Sequence, residues 1–239
     1  MAAASRRAVL AASLAAPALA SPTGILHLTI DTGWADQAER IAAILRAREI
    51  RATLFCADEP TFRGDRTLGP EWDGFWRARA AEGHVFASHT WRHWYFGPDQ
   101  GSRVVYAARG RPGREVLDAA GVAVELRRPV ARLAELGIEA RPLWRAPGGR
   151  TTPNALAFAR QAGFRHVGWA EAGFLGDELP ADRYPNRALL SRALARLRDG
   201  DVMVMHWGIR SRREPFADIL DPLLAGLLDR GFRFAPVSA

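Results

Sequence analysis

The sequence has one cysteine, no lysine and no uninterrupted apolar run of membrane-spanning length, and each absence excludes something. With Cys56 alone no internal disulfide can form, so packing must hold the chain together even in an oxidising compartment. All 33 basic residues are arginine, so the net charge of +7 reflects composition more than a basic function. The arginines alternate with acidic residues, as in ERIAAILRAREIR and RALARLRDGD, which is the pattern of solvated helix faces. No nucleic-acid partner is expected. There is no internal repeat, no heptad run and no low-complexity tract beyond an Ala-rich start, which excludes solenoids and coiled coils.

What is present begins with MAAASRRAVLAASLAAPALA: a basic start, a short apolar run and an Ala18-Leu19-Ala20 cleavage pattern. Ser13 and Pro17 interrupt the run, which is too short to span a bilayer comfortably. Residues 1–20 therefore read as a signal peptide and residues 21–239 as one domain, with no stable membrane insertion after signal removal. Arg6-Arg7, preceded by Ser5, resembles a twin-arginine export signal, and a periplasmic or extracellular location is expected. The sequence carries no signal for oligomeric state.

The 239 residues, 48% of them hydrophobic, suffice for one sizeable core. Short apolar runs alternate with helical segments, the pattern of parallel strands joined by crossover helices, so the class is α/β. Seven strands are predicted, at 25–30, 52–56, 84–88, 141–145, 164–170, 201–206 and 232–237. Among the helices, ADQAERIAAILRAR sets Ala38, Ile41 and Leu45 on one stripe; Thr152 caps a helix that starts at Pro153 and stops at Gly163; Asn186 opens another before Gly200. The Gly- and Arg-rich stretch from Tyr95 to Gly121 reads as a long connection with one short helix at most. Seven β/α units predict an incomplete seven-stranded (β/α) barrel, whose strands converge their C-terminal ends on one mouth.

Polar residues lie where that mouth is expected: Asp31, His89 with His93, Arg145 and His206, each at or just past a strand end. A helical turn through SHTWRHW would aim His89 and His93, four residues apart, at one divalent cation. The segments LTIDTGW, SHTWRH, WRAPGG and VMVMHWG occur in the order and approximate spacing of the motifs of the polysaccharide deacetylases, the NodB-like enzymes of carbohydrate esterase family 4. The sequence resembles that family over nearly all of the region after the signal, since IRATLFC is similar to its second strand and LLDRGFRFAPV to its closing strand.

The resemblance implies a metal-dependent hydrolase that removes N-acetyl groups from an amino-sugar polymer or oligomer, chitooligosaccharide or peptidoglycan-like. Such an enzyme acts on carbon-nitrogen bonds other than peptide bonds. It implies that Asp31 is the base, that His89 and His93 bind the metal, with zinc expected, and that Arg145 orients Asp31. It also implies that His206 protonates the departing amine, with Asp177 in GFLGDEL near the position that pairs with that histidine. Trp91, Trp94, Trp169 and Trp207 flank the motifs, and Trp91, Trp169 and Trp207 are expected to stack against sugar rings.

One departure stands out. Thr32 follows Asp31 where the family has a second, metal-binding carboxylate. Asp31 itself, the Thr32 hydroxyl or a water, or Asp36 folding back could fill that place. Two readings rival the deacetylase: a weak or inactive carbohydrate-binding homologue, and a hydrolase of a small linear or cyclic amide.

Overall fold

A computed structural model describes residues 24–110 and 112–238; the segment read as a signal peptide lies outside them. The fold follows from strict alternation along its strands. In β1 (Gly24–Asp31), Leu26, Leu28 and Ile30 are fully buried on the side that faces the helices. His27, Thr29 and Asp31 take the opposite face. In β2 (Thr53–Cys56), Leu54 and Cys56 join the helix side while Phe55 turns inward, and in β3 (Val85–Ser88), Phe86 and Ala87 divide the same way.

Tyr95–Gly121 is not the expected connection. It holds a second sheet of three antiparallel strands, β4 (Tyr95–Gln100), β5 (Arg103–Ala107) and β6 (Arg114–Leu117). Gly97, Pro98 and Gly101 break its hydrophobic pattern, so its strands are stabilised by neighbours distant in sequence. Phe96, Val104 and Tyr106 pack with Leu126 and Trp144 in a core of their own.

The chain continues through α3 (Ala119–Glu135), β7 (Ala140–Trp144), α4 (Pro153–Gln161) and β8 (Arg165–His166), then α5 (Asn186–Arg196), β9 (Val202–His206), α6 (Ala217–Asp229) and β10 (Phe232–Phe234). The two helices between the first strands are α1 (Ala38–Ala47) and α2 (Asp73–Ala81). The main sheet is parallel throughout, in the order β10-β1-β2-β3-β7-β8, with β9 also on β1. β10 pairs with Gly24–Leu26 and β9 with His27–Asp31, so two strands share one edge of β1. The result is the incomplete seven-stranded (β/α) barrel expected from the sequence. Leu220, Leu223 and Leu227 of α6 and Ile41 and Leu45 of α1 cover its outside. Phe55, Ala87, Leu143 and Val167 fill its inside.

One local expectation changes. The seven-residue run 164–170 forms only two residues of strand, because the next two carbonyls, of Val167 and Gly168, accept hydrogen bonds from Arg145 instead of extending a ladder. Asn186 opens α5 as its first residue, and the Glu214 carboxylate accepts from its backbone N–H at 2.7 Å. Thr152 does cap α4, its hydroxyl accepting from Ala155 N–H at 3.1 Å. Among the described residues no helix is long and apolar enough to cross a membrane.

Candidate active site

A cleft of about 310 Å³ opens at the C-terminal ends of the strands, within the size range of small-ligand sites. Asp31, Thr32, His93 and His206 line it, with Trp34, Glu59, Tyr95, Trp169, Phe174, Glu178 and Arg210 around them. Asp31 and His206 are in register on the adjacent strands β1 and β9, so both side chains leave the same face about 4.8 Å apart at the backbone.

Arg145 lies beneath them, fully buried, and every bond it makes constrains it. Nη1 donates to Asp31 Oδ1 at 2.8 Å and to Thr29 Oγ1 at 2.7 Å; Nε and Nη2 donate to the carbonyls of Val167 and Gly168 at 3.1 and 3.0 Å. The guanidinium rests on the Phe55 ring, 4.2 Å from its centroid. Burial alone would raise the Asp31 carboxyl, but the Arg145 charge, helped by His89 and His206, outweighs it and the net shift is downward. Asp31 is therefore an anion at neutral pH.

His206 is tuned the opposite way. Burial opposes its charge, yet the Asp177 carboxylate 3.1 Å from Nδ1 overcomes this and lifts the imidazole to about 10. Asp177 also accepts from the His206 backbone N–H at 2.6 Å, which locks the pair. The cleft thus carries an ionised carboxylate and a protonated imidazole on neighbouring strands.

His89 and His93 converge, but not through a helical turn. The segment bends, with Thr90 and His93 at left-handed φ of 63° and 53°, and this brings the two Nε2 atoms to 3.1 Å. Glu125 of α3 secures the bend, accepting from Arg92 N–H, Arg92 Nε and the Tyr106 hydroxyl at 2.8 to 3.0 Å. His89 Nδ1 faces the Arg145 carbonyl at 2.9 Å, so it must carry the proton. Burial keeps His89 neutral, lowering it to about 4, and its Nε2 therefore presents a lone pair. His93 Nδ1 lies 3.0 Å from Glu59 Oε1, which orients the ring with its Nε2 toward that of His89. Two ring nitrogens at this distance share a proton or hold a cation between them.

A divalent cation fits the two imidazoles; the rest of the donor set is short. Among the described residues no three His, Cys, Asp or Glu side chains are grouped to hold a metal. Thr32 lines the cleft, but its hydroxyl oxygen accepts from Ala57 N–H at 3.1 Å. Asp36 does not line the cleft: its carboxylate accepts from Gln37 and lies against Gly208. Asp31 Oδ2 lies 3.5 Å from His89 Nε2, while its other oxygen is held by Arg145.

The tryptophans divide. Trp169 lines the cleft, stacked near Phe174. Trp207 does not: alternation along β9 that turns His206 inward turns Trp207 out with Met203 and Met205, into the core against Phe75 and Trp76. Trp91 is also off the cleft, its ring under Arg128 of α3, and Trp94 packs on Tyr106. Gly148 and Gly149 of the third motif have left-handed φ, and a Cβ on either would strike Tyr95 or Trp169. Trp34, Tyr95, Phe174, Glu178 and Arg210 were not anticipated as cleft residues, nor was Glu59. The criterion of polar residues just past a strand end would have found Glu59, three residues beyond Cys56.

The sequence matches the family model described as polysaccharide deacetylase over residues 19–167, more than half of the chain. No curated protein sequence matches it. Among solved structures, it is similar to a family 4 carbohydrate esterase from Streptomyces lividans in complex with acetate: TM-score 0.65, 20% identity, covering 91% of this chain and 95% of that one. It is also similar to a family 4 acetyl xylan esterase from Clostridium thermocellum in complex with a cobalt ion, at TM-score 0.68, 16% identity and coverage of 89% and 87%. A third likeness is a family 4 pseudoenzyme from Bacillus anthracis, at TM-score 0.65, 17% identity and coverage of 90% and 65%. With its barrel and its ordered motifs, the chain belongs to the polysaccharide deacetylase family and is a hydrolase of that type.

Proposed function

We propose that this protein is an extracytoplasmic, metal-dependent deacetylase that releases acetate from an N-acetylated amino-sugar polymer or oligomer. The observation that carries this reading is the opposed protonation of Asp31 and His206 on one cleft. Two titratable groups whose surroundings drive their pKa values apart form an acid and base pair. Asp31, held ionised by Arg145, accepts a proton from the water that attacks the acetamide carbonyl. His206, held protonated by Asp177, donates a proton to the nitrogen as the carbon-nitrogen bond breaks, leaving acetate and a free amine.

His89 and His93 would hold the cation, expected to be zinc; when bound, such an ion polarises a carbonyl oxygen and acidifies water. Trp169 offers a flat face to a sugar ring, and an exported glycan hydrolase is consistent with the N-terminal segment. The neighbours that carry acetate and cobalt support the reaction class and the metal dependence.

A second reading, a weak or inactive binder, is favoured by one observation: Thr32 replaces the second carboxylate, and its hydroxyl is already bonded to the backbone. The Bacillus anthracis neighbour is itself a pseudoenzyme. Metal analysis of purified protein, with acetate release from chitin oligomers, peptidoglycan fragments and small amides, separates the readings. Metal content and acetate release that are both lost in His89→Ala are expected. Glycan binding with neither metal nor acetate release would establish the binder, and turnover of small amides alone would establish the amide hydrolase.

A further inference from the structure

Glu59 belongs to no motif read from the sequence, yet it touches the centre of the site. It lies on the loop after β2, and its backbone is clamped on both sides: its N–H donates to Thr67 Oγ1 and its carbonyl accepts from Thr67 N–H, each at 2.9 Å. Its side chain, 15% exposed, places Oε1 3.0 Å from His93 Nδ1. Oε2 is buried and has no hydrogen-bond partner. The neighbouring carboxylate, Asp58, is matched by Arg66 at 2.8 Å, whereas the one ion-pair partner of Glu59 among the described residues is His93.

The two imidazoles are thus supported from behind by different chemistry. A neutral carbonyl stands behind His89 and an anion stands behind His93. A carboxylate in that place fixes a ring's tautomer and orientation, makes its far nitrogen more basic, and adds negative charge next to any bound cation. His93 needs such support, since it sits on a left-handed backbone in a bend where no helix fixes its direction.

We propose that Glu59 is the positioning residue for His93: it holds the ring as the Nδ1–H tautomer with its Nε2 lone pair toward His89, and it contributes from the β2 loop the negative charge that Thr32 does not contribute from β1. This rests on the metal-dependent reading above and adds a residue to it. A position that lost its carboxylate on β1 is compensated by one anion lying behind a ligand instead of beside the metal.

The test uses purified protein titrated with cobalt(II) by calorimetry, together with 15N-histidine spectra of the metal-free protein. In the wild type, His93 is expected to carry its proton on Nδ1. Glu59→Gln keeps an acceptor of the same shape, so it is expected to melt at the wild-type temperature while binding cobalt about 10- to 100-fold more weakly. Adding Thr32→Asp to Glu59→Gln is expected to recover most of that loss. Equal cobalt affinity in wild type and Glu59→Gln, or a wild-type His93 protonated on Nε2 alone, overturns the role of Glu59 and leaves the metal reading standing. A wild type that takes up no cobalt overturns both.

Discussion

Arg145 and Asp31 meet at 2.8 Å with the guanidinium fully buried and the carboxylate nearly so, and Arg145 also donates to Thr29 and two carbonyls. A buried pair broken on one side leaves an uncompensated charge, which costs about 3 to 5 kcal/mol. Arg145→Ala is expected to lose about that much in urea unfolding. Arg145→Lys is expected to recover little, because an ammonium lacks the planar fork that reaches four acceptors. Full stability in Arg145→Lys would show that charge alone matters here.

If His206 is the acid, the His206–Asp177 pair is expected to set the alkaline side of activity. Its folded pKa of about 10 lies above the ordinary 6.5, so its stabilising contribution is complete below about 6.5 and is lost as pH rises through about 10. Replacing Asp177 by Asn removes the charge that raises His206. The alkaline limb of kcat/KM is then expected to move down by roughly one pH unit or more. An unmoved limb would take His206 out of the acid role.

His84 and His166 act on the opposite side. Burial first, with Arg145 adding its charge at His166, lowers both to about 4. Depressed folded values give stability that is present above about 6.5 and lost as pH falls through about 4, since the unfolded chain takes up protons first. On this account urea midpoints are expected to fall as pH drops between those limits. In His84→Gln, whose amide can still accept from Ala52 N–H, that fall is expected to be shallower.

Trp169 and Trp207 offer a paired test of cleft against core. Trp207→Ala empties a fully enclosed aromatic site and is expected to cost about 3 to 5 kcal/mol in unfolding. Trp169→Ala is expected to leave unfolding within about 1 kcal/mol and to raise KM for glycan oligomers. Equal stability losses in both would remove Trp169 from substrate contact.

Legibility in the sequence followed periodicity. The parallel strands were visible because each is a short apolar run with a polar residue at its end. The β4-β5-β6 sheet was not, because Gly97, Pro98 and Gly101 disrupt its pattern and it is stabilised by Trp144 and Leu126, far along the chain. Trp207 was misplaced although the answer was local: with His206 turned inward, the next residue of a strand turns out. Glu59 lacked a motif, and proximity in sequence to Cys56 gave no hint of His93 beside it.

The sequence by itself determined the α/β class, the order of strands, and which polar residues stand at strand ends, because those depend on local periodicity and on spacing along one chain. Only the tertiary structure decided the relations across strands: the opposed charges of Asp31 and His206, the left-handed bend that brings two imidazole Nε2 atoms together, and the carboxylate behind His93. Those depend on distances between segments far apart in the chain and on burial, which turns a nearby charge into a pKa shift.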